Sequence, residues 1–505
     1  MHKIQSIESL AKIIKVEKEK GKKIVLCHGV FDLLHIGHIR YLSQAKKLGD
    51  LLIVTLTTDQ FVDKGPNRPA FTKNLRAEAI ASLSCVDYVS INPWPTAVEI
   101  IRLFAPDYYV KGSEFKNLSS DITGKIAQEE KVATEVGTKM AFIDDIVFSS
   151  TNLINRYLSV FSEEVQHYLN VFRQRYSIED IIEVIDKMSK LNVLIVGDTI
   201  LDEYVYCNAI GKSSKDPILA LKYQSHDLFL GGSLALANQV SNFAQNVTVK
   251  TIIGENNNYE NFIHSNLKPN VSLSVEIQSN ASTIVKRRYI DGYTFNKLFE
   301  IYMMDDSGLD EIQNKTVCSW LSENIENYDI VIASDFGHGA ISQDMVNILC
   351  SQTPFLSVNT QANAGNRGFH TISRYPKASF ACIAEHELRL ETRDLKTDLR
   401  PLMLKLHDTL DYKKLVVTSG KKGSSICEKN NKFLQVPAFA KNVVDRVGAG
   451  DTFFSLASLC ACLDAPNELI CFLGNVISSL SVEVLGNQTS IDKLSVIAYI
   501  KSLLK

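Results

Sequence analysis

Two histidines three residues apart, His35 and His38 in "GVFDLLHIGH", come shortly after the apolar run "KKIVLC". A strand, a turn and a helix opening there would place both rings at a helix N-terminus. Free backbone N–H groups and the positive end of the helix dipole converge at such a point and suit phosphate. The imidazoles add donors whose charge changes near neutral pH, and Gly37 between them lets a ligand approach the backbone. A second constellation lies near the other end, in "DRVGAGDTFFSLASL". Gly448, Ala449 and Gly450 precede Asp451 and an apolar helix, so the turn can form an anion hole while the aspartate accepts a proton from an attacking hydroxyl.

Elements able to carry the first pair run from about residue 24 to 150, where "KIVLCHGVFD", "LLIVTLTTD" and "MAFIDD" alternate with helical periods. Alternation of this kind predicts a parallel, doubly wound sheet with ligands at the carboxyl ends of its strands. Residues 151–188 are helical in period and hold no Gly or Pro, which fits a packed connector or a dimerisation surface. The alternation restarts at "LNVLIVGDTILDEY" and continues through "DIVIASD", "TPFLSVN" and "KKLVVTSG". The expected division is therefore a domain over 1–156, a helical connector over 157–188 and a second α/β domain over 189–505.

The chain's 505 residues are too many for one ordinary core. Its net charge of -3 lacks the basic excess of a nucleic-acid binder. No run of eighteen uncharged apolar residues and no leader-like start are present, so a cytoplasmic chain without membrane segments is expected. The ten cysteines show no paired CxxC spacing and read as reduced, mostly core residues.

"GVFDLLHIGH", with "LGDLLIVTLTTD", "KGPNRP", "LRAEAIASL", "PDYYVKG" and "SSTNLINR", resembles the nucleotidyltransferases that carry HxGH on a strand, turn and helix. The resemblance implies a Rossmann-like domain in which a substrate phosphate oxygen attacks the α-phosphorus of ATP or CTP and pyrophosphate leaves. His35 and His38 would then steady the phosphates. Phe31, Lys64, Arg76 and, more weakly, Arg68 would border the nucleotide, and Ser149, Ser150 and Thr151 would meet the leaving pyrophosphate. Mg²⁺ is expected with the triphosphate.

"GAGD", together with "VGDTILDEY", "GGSLALAN", "ASDFGHGAIS" and "VVTSGKKGS", resembles the ribokinase-like sugar kinases over about 190–492. That resemblance makes Asp451 the catalytic base and Gly448, Ala449 and Gly450 the anion hole. Asp198, Gly231 and Gly232 would meet the sugar, Thr418, Gly420 and Gly423 would border the nucleotide, and Glu387 would act indirectly on the metal. The chain departs from the pattern at Ala235, at Asn359 and Gln361 in "VNTQAN", and at Ala384 in "AEHE". Asn366, Arg367, His370 and Arg374, in "NAGNRGFHTISRY", are available as replacement contacts or as an ordinary surface loop. The pair of domains is similar to the bifunctional heptose 7-phosphate kinase/heptose 1-phosphate adenylyltransferases, in which the kinase comes first. The order here is reversed. The implied partners are sugar phosphates and a nucleoside triphosphate, with a homodimer also compatible. The alternative is an active nucleotidyltransferase whose kinase-like domain only binds or regulates.

Overall fold

The computed structural model describes residues 3–62, 69–113, 125–143, 161–257, 259–305, 307–366, 368–428, 432–440, 442–484, 486 and 489–504. The chain forms two compact units, one comprising residues 1–162 with 497–505 and the other residues 163–496. Among the described residues no helix is long and apolar enough to cross a membrane.

In the first unit, β1 (Ile24–Gly29), β2 (Leu51–Thr57), β3 (Tyr88–Asn92), β4 (Tyr108–Gly112) and β5 (Lys139–Ile143) form one sheet in the order β3-β2-β1-β4-β5. Every pairing in it is parallel. Its strands read as continuous apolar runs because helices cover both faces. Leu26, Ile53 and Tyr109 pack on one side, and Val25, Val54 and Val110 on the other. The strand order reverses between β1 and β4, so the crevice at their carboxyl ends is the place for a ligand.

The second unit contains β6 (Asn192–Gly197), β7 (Thr199–Lys212), β8 (Leu219–Gly231), β9 (Asn246–Asn256), β10 (Val271–Ser282), β11 (Ile284–Asp291) and β12 (Lys297–Met303). After these come β13 (Ile330–Asp335), β14 (Leu356–Thr360), β15 (Lys377–Ala384), β16 (Asp411–Thr418), β17 (Ser424–Glu428) and β18 (Lys432–Val436). A nine-stranded sheet runs β10-β9-β6-β13-β14-β15-β16-β17-β18 and is antiparallel only at β17 and β18. A separate four-stranded sheet runs β12-β11-β7-β8.

The helical stretch after residue 156 does not stand apart as a connector. Helices Glu163–Arg175 and Ile178–Met188 belong to the second unit. Phe172 is fully buried and stacked on Phe472 at 4.1 Å, and Phe439 meets Phe472 edge-on at 5.3 Å. The capping box of Ser177 and Asp180 starts the second of these helices. All ten cysteines are free thiols, six of them buried.

Candidate active sites

In the first unit β1 ends at Gly29, and Phe31 turns the chain with a left-handed φ of 47°. A Cβ at Gly29 would come within 3.1 Å of the Phe31 ring, which would have to give by a few tenths of an ångström. His35 then caps helix Ile36–Lys46, with its Nδ1 accepting the Gly37 N–H at 3.1 Å. That bond fixes the tautomer: the proton sits on Nε2. Nε2 is buried and has no hydrogen-bond partner among the described residues, a donor held ready at a helix N-terminus. Burial also depresses the His35 pKa and keeps the ring neutral. The His38 ring stacks on His35 at 3.9 Å and meets the buried Phe31 ring edge-on at 5.3 Å. Phe31 therefore acts as a wall behind His38.

Arg76 does not stand free for phosphate. Its side chain is fully buried, and the guanidinium donates to the carbonyls of Val30, Phe71 and Thr57 and pairs with Asp59. It ties the ends of β1 and β2 to the start of the next helix, because those carbonyls would otherwise be buried without donors. Asp32 plays a matching part by accepting the Ala70 and Phe71 N–H groups. Lys64, Arg68, Ser149, Ser150 and Thr151 lie outside the described residues. His28, which the spacing argument passed over, is buried between Thr55 and Thr57 with its pKa pushed down to about 4 by desolvation and by Lys111.

In the second unit Gly448, with a φ of 77°, opens helix Ala449–Cys462, and Asp451 sits in its first turn. Burial, followed by the carboxylates of Asp202 and Glu387, pushes the Asp451 pKa up to about 7. The Gln361 amide donates to Asp451 Oδ1. Asp451, Gly448 and Thr452 line one part of a cavity of about 390 Å³, which Leu230, Ala235 and Gln239 also line.

Asp198 is placed differently from expectation. Its two oxygens accept the Phe336 and Ala340 N–H groups at 2.9 and 3.0 Å, and it is buried, so it pins the loop after β13. Asp202, four residues on, is the carboxylate beside the double glycine: a side chain at Gly231 would lie 2.5 Å from Asp202 Oδ2. It pairs with Arg288 from β11. Gly232, at φ 53°, lets its strand press against the Asp198 carbonyl. The repeated Asp in "GDTILDEY" was the available signal for Asp202.

Both Glu387 oxygens are taken by backbone N–H groups, of Ala362 at 2.8 Å and Ala384 at 2.7 Å. Thr418 ends β16 beside Ala384 of β15, and the turn Gly420–Lys422 follows. Gly423, at φ 88°, abuts the Val436 carbonyl. Asn359 donates to the Cys382 carbonyl at 2.7 Å. The expected replacement contacts face inward: His370 and Arg374 both bind Asp335 at 2.7 Å, and Asn366 binds the carbonyls of Phe336 and Gln361. Arg367 lies outside the described residues. Among the described residues no three His, Cys, Asp or Glu side chains are grouped to hold a metal ion.

Fold and sites together define a two-unit α/β protein with an HxGH helix start in one unit and a Gly-rich turn with its aspartate in the other. The chain belongs to the pfkB family of carbohydrate kinases, whose model matches residues 192–494, and a cytidylyltransferase-like model matches residues 26–156. Its N-terminal part is 38% identical over 164 residues to the bifunctional protein HldE of Syntrophotalea carbinolica, covering 32% of each chain. Identity to HldE of Sulfurimonas denitrificans is 41% over 138 residues, or 27% of this chain and 29% of that one. The chain thus spans about a third of the length of the curated relatives it matches. Among solved structures, phosphofructokinase-2 of Escherichia coli superposes with a TM-score of 0.51 at 15% identity, over 63% of this chain and all of its own. Ribokinase of Thermotoga maritima gives 0.50 at 16%, over 62% and 99%. At those identities the likeness is one of fold.

Proposed function

We propose that the chain is a bifunctional enzyme of nucleotide-sugar synthesis. The first unit joins the nucleotidyl group of ATP or CTP to a sugar 1-phosphate: a phosphate oxygen attacks the α-phosphorus and the bond to pyrophosphate breaks. His35 Nε2–H and the N-terminal N–H groups of its helix hold the charge that builds on the phosphates. The second unit phosphorylates a sugar phosphate. Asp451 takes the proton of the acceptor hydroxyl, the oxygen attacks the γ-phosphorus, ADP leaves, and Gly448, Ala449 and Gly450 meet the displaced charge. Mg²⁺ accompanies the triphosphate and supplies charge neutralisation there. A heptose phosphate is the first acceptor to try, because the pairing of these two domains resembles the heptose enzymes.

What supports this reading is that each unit presents a candidate group at a helix start: His35 Nε2, without a hydrogen-bond partner among the described residues, and the Asp451 carboxyl, raised toward neutrality by burial. The test is incubation with Mg²⁺, ATP and heptose 7-phosphate, read by mass spectrometry, with Asp451→Ala alongside. A sugar bisphosphate made only by the unaltered chain supports the kinase. Pyrophosphate release from the triphosphate in the presence of a sugar 1-phosphate, without any bisphosphate from a panel of sugar phosphates, leaves the transferase with a kinase-like binding module.

A further inference from the structure

The run Asn363–Tyr375 and the replaced "VNTQAN" segment have one structural result in common, the placement of a single amide. Gln361 follows the carboxyl end of β14. Its N–H donates to the Asp335 carbonyl at 3.1 Å, its carbonyl accepts the Asn366 amide at 2.7 Å, and the next N–H, of Ala362, goes to Glu387 at 2.8 Å. Asp335 is itself held at 2.7 Å by each of His370, Arg374 and Tyr375. Asn363 and Asn366 both hook the Phe336 carbonyl, at 2.7 and 3.1 Å. The main chain at 361–362 is thus fixed from three sides, and the side chain extends from that frame to Asp451 Oδ1.

We propose that Gln361 is a positioning residue for phosphoryl transfer: its amide holds Oδ1 of Asp451 so that Oδ2 faces the acceptor hydroxyl, and the Asn363–Tyr375 run is the frame that holds Gln361. The inference rests on Asp451 serving as the base. A neutral amide suits this task, since it donates one hydrogen bond and fixes the carboxylate plane without the full positive charge that would make the carboxylate a poorer base. The charged groups acting on Asp451 are Asp202, Glu387 and Lys286. Burial first, and then the two carboxylates against the one ammonium, raise it to a base near neutrality, and Gln361 settles its direction.

The experiment compares Gln361→Ala and the equal-sized Gln361→Glu with the unaltered full-length chain. Loss of a hydrogen bond to a carboxylate predicts a fall in kcat of about ten- to a hundredfold in Gln361→Ala with KM for the sugar phosphate unchanged. The acidic limb of the pH–rate profile moves to higher pH, and moves further in Gln361→Glu, where a third carboxylate adjoins the base. Unchanged kcat and an unchanged acidic limb in both variants overturn the proposal, as does a loss confined to KM. If the unaltered chain phosphorylates no sugar phosphate, the kinase reading fails on its own. Carbon-13 titration of the Asp451 carboxyl, assigned with Asp451→Asn, then decides: an upward shift in Gln361→Ala supports the contact, and a superimposable titration refutes it.

Discussion

Replacing Asp451 by Asn should abolish phosphoryl transfer and make the second unit more stable, by an amount that depends on pH. The unfolded chain releases the Asp451 proton near the ordinary value of 3.8, whereas the folded chain retains it to about 7, because burial and the carboxylates of Asp202 and Glu387 oppose the charge. Between those values the native state binds more protons than the unfolded one, so stability falls as pH rises. Each pH unit is worth about 1.4 kcal/mol, and a gap of roughly three units makes the penalty about 4 kcal/mol at pH 8. At pH 5 it is below about 2 kcal/mol, and below pH 4 it vanishes. An asparagine carries no charge and still accepts the Gln361 amide, so the variant escapes the penalty. The two tryptophans separate the units, Trp94 lying in the first and Trp320 in the second. Urea unfolding in a Trp94→Phe chain, followed by Trp320 fluorescence at pH 5 and 8, reads the difference. A variant no more stable than the parent at pH 8, or a gap indifferent to pH, would refute the reasoning.

Arg76→Ala leaves the carbonyls of Val30, Phe71 and Thr57 without their shared donor, and should destabilise the first unit by about 3 kcal/mol or more. Trp94 fluorescence in a Trp320→Phe chain measures this, and a raised KM for the triphosphate at unchanged stability would contradict it. His35→Ala should slow pyrophosphate release by about a hundredfold or more, while His35→Gln, which restores a side-chain donor, should recover part of the rate. Because burial lowers the His35 pKa, the His35-dependent loss of rate on acidification should begin below pH 6.5, the ordinary histidine value. Gly423→Ala forces a side chain into the Val436 carbonyl at a left-handed φ, so the turn should shift by about 1–3 kcal/mol of strain and the kinase should show a higher KM for ATP.

Sequence spacing reached the two helix starts more easily than the contacts that support them. His35 and Asp451 were legible because a glycine-flanked helix start constrains few residues and those lie close together in the chain. Arg76 was not, since an arginine near a phosphate site and one that knits three carbonyls have the same type and spacing. Only the convergence of Val30, Thr57 and Phe71 separates them. Asp198 and Asp202 show the same limit in reverse. Both follow β6, and which of them faces the double glycine depends on the antiparallel register that sets Asp202 opposite Phe229. The alternation revealed the two parallel sheets. It did not reveal the four-stranded sheet, because the outer halves of β7 and β8 are exposed and show no apolar alternation. The Asn363–Tyr375 run read equally as replacement contacts or as a surface loop; His370, Arg374 and Tyr375 all turn inward to one buried aspartate.

If two independent phosphate-transfer sites share this chain, as proposed, each can be lost without the other. A crossed assay decides: His35→Ala and Asp451→Ala, each measured for sugar bisphosphate formation and for pyrophosphate release in the full chain. His35→Ala should lose pyrophosphate release and keep bisphosphate formation, and Asp451→Ala should do the opposite. Loss of both activities in either variant, or of neither, would contradict the proposal.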